Sequence, residues 1–364
     1  MRIGSYDCGL CCYNSSMISD FNQVRCLVTG HTGFKGFWLS RMLFLLGANV
    51  SGIALKPELN SNYSRMSDTF FENSYYFDIR NQELVKGTID YLRPDIIFHL
   101  AAQPLVRKSY REPISTFSTN VMGTAHVLDA ALKLESVQGV VAITTDKVYK
   151  NLEKNIGYKE EDPLGGKDPY SASKSAAEMA INAWRNLGEV SQSTKIISAR
   201  AGNVIGGGDI SEDRLVPDIL RSFKLKERVE IRNPNALRPW QHVLDPLYGY
   251  ILIGKKILNK DKLSNSYNFG PSETSKLTVG QMTDIACKNW TGNLGWENIP
   301  NEDSMPESKL LWLNSELAER ELGWKNQLNA EETLIWTFEW ERKSMEMTPS
   351  ELIDEQFLRY KNII

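Results

Sequence analysis

Thr29-Gly30-His31-Thr32-Gly33-Phe34-Lys35-Gly36 is the stretch on which the reading of this chain turns. An apolar run over 24–29 leads into it and a helix-spaced, mostly apolar run over 37–46 leaves it. The glycines therefore stand where a strand becomes a helix, which is the context a dinucleotide-binding turn requires. Without side chains, Gly30, Gly33 and Gly36 permit a tight turn and close backbone approach, and the new helix presents its positive end to phosphate. Gly30, Thr32, Gly33, Phe34 and Gly36 are the candidate cradle for a pyrophosphate.

Working outward, apolar runs at 24–29, 49–55, 75–77, 96–100, 140–144 and 196–199 alternate with helical patterns at 37–46, 82–93, 114–134 and 173–186. Such alternation predicts an α/β fold: a Rossmann-type doubly wound parallel sheet that binds its ligand at the carboxyl ends of the strands. Beyond Arg200 the texture changes, with Gly206-Gly207-Gly208, Pro217, Pro234, Pro239, Pro246 and Pro271 breaking the chain into short pieces. The expected organisation is a dinucleotide-binding domain at 21–200, then a smaller mixed α/β substrate-binding region at 201–345 with return elements to the Rossmann core. A C-terminal tail follows at 346–364. Trp312, Trp324, Trp336 and Trp340 are expected in core helices. Residues 1–20 read as a disordered extension, with Met17 the more natural start.

Composition narrows the function. A net charge of −3 over 364 residues gives no basic field, which argues against nucleic acid as a partner. The 37–46 run contains Arg41 and is too short to cross a bilayer, and no secretory leader is evident, so the expectation is a cytoplasmic protein with no membrane partner. Cys8, Cys11, Cys12, Cys26 and Cys287 lack zinc spacing, and His31, His99, His126 and His242 form no ligand pattern, so no metal is expected. His99, inside an apolar strand, reads as core.

The second strand ends in Leu55-Lys56-Pro57-Glu58, where an acidic residue normally meets the adenosine ribose. Lys56 suits a 2′-phosphate and Glu58 a ribose hydroxyl, so NAD and NADP stay open on these residues. Asp78 and Ile79 suit the adenine edge, and Ala101-Ala102 lets the backbone approach the cofactor closely.

Tyr170 and Lys174 lie four apart, one helical turn on the same face. A phenol titrates near ~10, so Tyr170 needs a nearby cation to act as a base, and Lys174 is positioned to provide it. Thr145 can share the same substrate hydroxyl, and Asn120 can bind the backbone or a water that positions Lys174. Asp146-Lys147 adds a second acid and a second base, which alcohol oxidation alone does not need. For Lys147 to act near neutrality its pKa must fall by about three units, ~4 kcal/mol. A like charge at ~6 Å contributes ~3 kcal/mol at an effective dielectric near 20, and Asp146 opposes it. Asn203 can reach a phosphate or a sugar, and Arg214, Arg232 and Arg238 suit bidentate grip of a pyrophosphate. Arg238-Pro239-Trp240-Gln241-His242-Val243 places His242 beside that group.

At these residues the chain resembles the extended short-chain dehydrogenase/reductase family, and within it the bacterial CDP-glucose 4,6-dehydratases. The resemblance covers about 22–340. It rests on the glycine turn, His99-Leu100-Ala101-Ala102-Gln103-Pro104-Leu105-Val106-Arg107, Thr145-Asp146-Lys147-Val148-Tyr149, Asp168-Pro169-Tyr170-Ser171-Ala172-Ser173-Lys174, the Arg200–Asp209 run and the Arg238–Val243 block. The Asp-Lys pair is the more specific feature, because related dTDP-glucose and GDP-mannose dehydratases carry Asp-Glu there. The resemblance implies NAD as cofactor, with Gln103 among its contacts, and CDP-glucose as substrate, with Arg107 among its contacts. It implies oxidation at C4, loss of water across C5 and C6, and hydride return to C6. It also implies a homodimer, or a dimer of such dimers, paired through helices near 114–134 and 173–186, and a role in bacterial surface polysaccharide. A 4-epimerase would need Tyr170 and Lys174 but not Asp146 and Lys147.

Overall fold

The computed structural model describes residues 21–152, 156–191, 194–299 and 311–364; the expected extension over 1–20 lies outside them. Six strands come from the first half: β1 Arg25–Thr29, β2 Asn49–Ala54, β3 Phe71–Tyr76, β4 Ile96–His99, β5 Gly139–Ile143 and β6 Lys195–Ala201. A seventh, β7 Ser266–Phe269, comes from the second half and pairs with β6. All seven run parallel in the order β3-β2-β1-β4-β5-β6-β7. Strand order reverses at β1, so β1 and β4 splay their connections and open a crevice at their carboxyl ends.

Helices α1 Phe34–Leu45, α2 Gln82–Leu92, α3 Val106–Arg111, α4 Pro113–Phe117, α5 Thr124–Leu132 and α6 Pro169–Ser191 belong to the first half. Burial on both faces explains the near-continuous apolar strands: Leu27, Ile97 and Val140 face one core, with Val85 of α2 and Leu128 of α5. Val28, Phe98 and Val141 face the other, with Trp38 of α1. His99 is core, as its apolar strand predicts: Thr29 Oγ1 and Thr124 Oγ1 bracket its two ring nitrogens at 2.8 and 3.0 Å.

The single helix expected over 114–134 is instead broken. Pro113 starts α4 at its first turn, a widened π-helical turn covers Ser118–Gly123, and α5 follows. Inserted π turns recur at functional sites. This one places Asn120, whose Nδ2 donates to Gln103 O (3.1 Å) and Ser173 Oγ (2.9 Å) and whose Oδ1 accepts from Gln103 N (2.8 Å).

In the second half α7 Leu215–Leu225, α8 Leu244–Leu258, α9 Val279–Asn289, α10 Glu316–Leu322, α11 Ala330–Lys343 and α12 Pro349–Lys361 carry two-stranded pieces between them. Ile219, Phe223, Ile231, Met282 and Phe338 form a separate small core there. Helix α8 instead covers the main sheet, and α12 packs beside α1 with Leu352, Ile353 and Phe357 in the main core. Trp312, Trp324, Trp336 and Trp340 are all buried as expected, but only Trp336 and Trp340 sit in a helix (α11); Trp312 and Trp324 lie in the connections on either side of α10. Asp245, fully buried at the start of α8, accepts from Gln327 N, Asn326 Nδ2 and Tyr360 Oη, and so clasps α8 to α12.

Candidate active site

The glycine turn is sterically committed. Gly30 has φ +77°, and a Cβ there would sit 2.9 Å from Ala101 N. A Cβ on Gly36 would stand 2.0 Å from Gly30 O, so α1 reaches this close to the turn only with glycine at 36. Gly33 begins α1 without any side-chain cap and without an acidic residue in its first turn. The helix start thus keeps its polar end for an anion, which fits a dinucleotide pyrophosphate. Thr32 Oγ1 donates to Leu55 O (3.0 Å) and ties the turn to β2, while Phe34 packs against the main core. Asp78 carries Arg80 on its carboxylate (2.7 Å), Ile79 is buried, and Ala101 adjoins Gly30. Ala102 is partly buried between Ala101 and Gln103, whose Nε2 donates to Thr116 Oγ1 (2.9 Å).

Across the crevice, β5 ends at Ile143 and leads into a short 3₁₀ turn, Asp146–Val148, capped by Thr145. Helix α6 starts with Pro169, and Asp168 accepts from Ser171 N at 2.9 Å, anchoring the turn that carries Tyr170. The Thr145 and Tyr170 clusters, 25 positions apart in sequence between 145 and 170, meet here: the Thr145 hydroxyl is close enough to the Tyr170 phenol to draw its pKa down. Thr145 Oγ1 also donates to Asp146 Oδ1 (2.8 Å). Lys147 Nζ donates to the same Oδ1 (3.1 Å) and to Asn203 Oδ1 (3.5 Å). Asp146 is only 4% exposed at its side chain, whereas Lys147 is 28% exposed and so keeps a path to the crevice.

Electrostatics refine the sequence expectation in two places. Burial pushes the Tyr170 phenol above its usual value, and the Lys147 charge is the largest influence pulling it back, followed by the Thr145 hydrogen bond. Spacing alone assigns that task to Lys174. Burial pushes Lys147 down, but the charges of Asp146 and Tyr170 and the Asp146 hydrogen bond outweigh it, leaving the ammonium above its usual value; Arg238 opposes them. Among the protein's own groups Lys147 is therefore held protonated. Of Lys147 and Lys174, it is Lys174 that is depressed: burial takes it down to about 8 against the charge of Glu178.

Asn120 takes the backbone option expected of it, binding the Gln103 peptide and, through Ser173, the turn of α6 that holds Lys174. Arg238 acts on Lys147, and Arg214 on Tyr170, so both lie within electrostatic reach of the catalytic groups. Arg107 and Arg232 stand half exposed, both beside Asp213. His242 does not join them. It is 0% exposed, its ring edge-on to Trp38 and Trp336, so the expectation of a substrate contact fails there. A ring closed in by two tryptophans has no face left for a ligand.

Two groups escape a reading by motif. Lys35, inside the glycine turn, donates to Tyr250 Oη (3.0 Å) and is lowered to about 7, mainly by burial and then by the charges of Arg214 and Lys174. Glu178 lies one turn beyond Lys174 and accepts from Thr144 Oγ1, Ser198 Oγ and the Nε and Nη2 of Arg200. Its position, four residues past Lys174 on the same helical face, is the signal that could have found it.

A glycine cradle facing a Thr-Asp-Lys turn and a Tyr/Lys helix defines an extended short-chain dehydrogenase/reductase of the epimerase and dehydratase type. More narrowly, the chain belongs to the family described as GDP-mannose 4,6 dehydratase, whose model matches residues 27–335. It is 43% identical to the CDP-glucose 4,6-dehydratase of Salmonella typhimurium over 325 residues, 87% of this chain and 90% of that protein. It is 28% identical to the UDP-glucose 4-epimerase of Halalkalibacterium halodurans over 323 residues, 85% of this chain and 92% of that one. Among solved structures, the dTDP-glucose 4,6-dehydratase of Bacillus anthracis in complex with NAD superposes with a TM-score of 0.74. At 23% identity, that match covers 89% of this chain and 98% of the other, and it shows the fold.

Proposed function

We propose that this chain is a lyase that converts CDP-glucose to CDP-4-dehydro-6-deoxyglucose with loss of water. The observation that carries the reading is the Asp146–Lys147 pair, 3.1 Å apart, beside the Tyr170 phenol and Thr145. An epimerase has no use for that second acid and base. The 43% identity to a CDP-glucose 4,6-dehydratase over 87% of the chain supports the same substrate.

In this reading Tyr170, steadied by Thr145, takes the proton of the sugar O4. The Gly30–Gly36 turn would hold NAD, which when bound would supply the hydride chemistry for the transient oxidation at C4 and the reduction at C6, while Lys147 favours the phenolate of Tyr170. Lys147 then removes the C5 proton, made acidic by the new C4 carbonyl, while Asp146 protonates the departing C6 hydroxyl. Lys147 must lose its proton before this step. Transfer along its 3.1 Å hydrogen bond to the Asp146 carboxylate would leave a neutral amine and a protonated carboxyl, the two forms the elimination needs. Asn203, Arg214 and Arg238 line the substrate side, with Arg107 and Arg232 at the pyrophosphate.

Two copies are proposed to pair through α4, the π turn and α6, where Ile114, Met179 and Leu187 stand 82%, 61% and 59% exposed on neighbouring helices. Among the described residues no helix is long and apolar enough to cross a membrane, and Cys26 and Cys287 are free thiols; both accord with a cytoplasmic site of action. A place in bacterial surface-polysaccharide synthesis, which the family resemblance implies, is part of the same proposal.

Incubating the protein with NAD and a panel of nucleoside-diphosphate glucoses, with mass spectrometry of the products, tests the assignment. Loss of one water from CDP-glucose in preference to the UDP, dTDP and GDP analogues is expected. A product of unchanged mass with inverted C4 would replace it with the epimerase reading.

A further inference from the structure

Three of the four arginines expected to contact the substrate, Arg107, Arg214 and Arg232, find their carboxylate partners on one short segment. Arg214 pairs with Asp209 (2.8 Å), whose side chain is 5% exposed. Arg107, on α3 of the Rossmann half, pairs with Asp213 at 2.5 Å, and Arg232, just past the 229–231 strand of the other half, reaches the same Asp213 oxygen at 4.0 Å. Asp213 is thus the point where guanidiniums from the two halves of the chain converge. Its backbone is left-handed, φ +59°, a region that non-glycine residues enter at a cost and that Asp and Asn enter most readily. Asp218 also faces this group, pushed up chiefly by burial, with Asp213 adding to the push and Arg221 and Arg232 opposing it.

An oxyanion held between two arginines is what a pyrophosphate would be in the same place. We propose that Asp213 is an internal stand-in for the substrate's pyrophosphate: it keeps Arg107 and Arg232 assembled at the mouth of the crevice and must give them up when the nucleotide sugar binds. The inference rests on the reading of Arg107 and Arg232 as pyrophosphate ligands. Its consequence is a fixed handicap on affinity, since only the fraction of molecules with the arginines released is competent to bind. Exposed ion pairs are weak, ~0.2–1 kcal/mol, so the handicap is about 1.4- to fivefold. A carboxylate that merely positioned the arginines for substrate would have the opposite sign, because its loss would weaken binding.

The experiment measures the Kd for CDP and the KM for CDP-glucose in the full-length NAD-bound protein carrying Asp213→Asn. Asn keeps the side-chain shape and tolerates the left-handed backbone. Asp213→Gly, which also relieves that backbone, guards against an effect peculiar to the amide. Both variants are expected to bind CDP about 1.4- to fivefold more tightly and to lower KM in step. Unchanged or weaker binding in both overturns the proposal. Arg107→Ala and Arg232→Ala, measured beside them, separate the two ways of failing. If neither weakens CDP binding, the ligand reading of the arginines falls and the stand-in falls with it. If both weaken it while the Asp213 variants do not tighten it, the stand-in alone falls.

Discussion

Asp146 Oδ1 is shared: Thr145 Oγ1 donates to it across 2.8 Å and Lys147 Nζ across 3.1 Å, with the Asp146 side chain almost wholly buried. One carboxylate oxygen therefore couples the residue that touches Tyr170 to the amine that faces the crevice. In the proposed reaction, oxidation and elimination would be linked through that single atom.

That coupling separates two classes of variant. Lys147→Met and Asp146→Asn are expected to lower dehydration by about 10²–10⁴-fold, the usual size of a general acid–base contribution. Each should still oxidise C4, visible as reduced nicotinamide absorbance on mixing with CDP-glucose, more slowly in Lys147→Met, which removes the main charge drawing the Tyr170 phenol down. Tyr170→Phe should abolish that absorbance as well. Equal loss of both signals in all three variants would contradict the division of labour.

Because Asp146 is the chief influence holding Lys147 above its usual value, Asp146→Asn is expected to move the Lys147 titration downward. Reaction of Lys147 with an amine-selective reagent, read by peptide mass spectrometry against pH, should start at lower pH in the variant than in the parent. An unmoved profile would show that the carboxylate does not control the amine.

His31, His99 and His242 are buried and lowered to about 4, 3 and 3, in each case chiefly by burial. An unfolded histidine titrates near ~6.5, so between that value and the folded ones the unfolded chain binds more protons. The stability that these neutral rings contribute is complete above pH ~6.5 and is lost as pH falls toward 4. Urea midpoints should drop over this window, and His242→Phe, which removes one of the three rings from titration, should flatten the drop.

Gly36→Ala should destroy the cofactor site, since its Cβ would overlap the Gly30 carbonyl at 2.0 Å. The neighbour is backbone and cannot swing aside. Loss of NAD binding by calorimetry is expected; Gly87→Ala, in open space, should bind normally and be slightly more stable.

Asp245→Ala leaves the Tyr360 hydroxyl, the Asn326 amide and the Gln327 N–H without their shared acceptor. A cost of about 2–5 kcal/mol is expected, with hydrogen exchange rising first in α12. An exchange pattern spread evenly over the chain would contradict a local clasp.

Much of the site is legible in the linear chain because its parts are local. A glycine turn must lie between a strand and a helix, and Tyr170 and Lys174 share a helical face by period alone. The π turn at Ser118–Gly123 escapes that logic. Its widening answers to Gln103 and Ser173, far away in sequence, while a helical period runs on through it. Strand β7 escapes for another reason: Ser266-Tyr267-Asn268-Phe269 is too short and too polar to announce itself, and only its pairing with β6 makes it a strand.

The amino-acid order alone settles the Rossmann architecture, the phosphate turn and the inventory of acids and bases, since each depends on spacing within a few residues. The folded protein decides their states. It walls His242 between two tryptophans, hands control of Tyr170 largely to Lys147, keeps Lys147 charged beside Asp146, and occupies Arg107 with Asp213. Burial and charge depend on neighbours brought together from distant parts of the chain, and no local period records them.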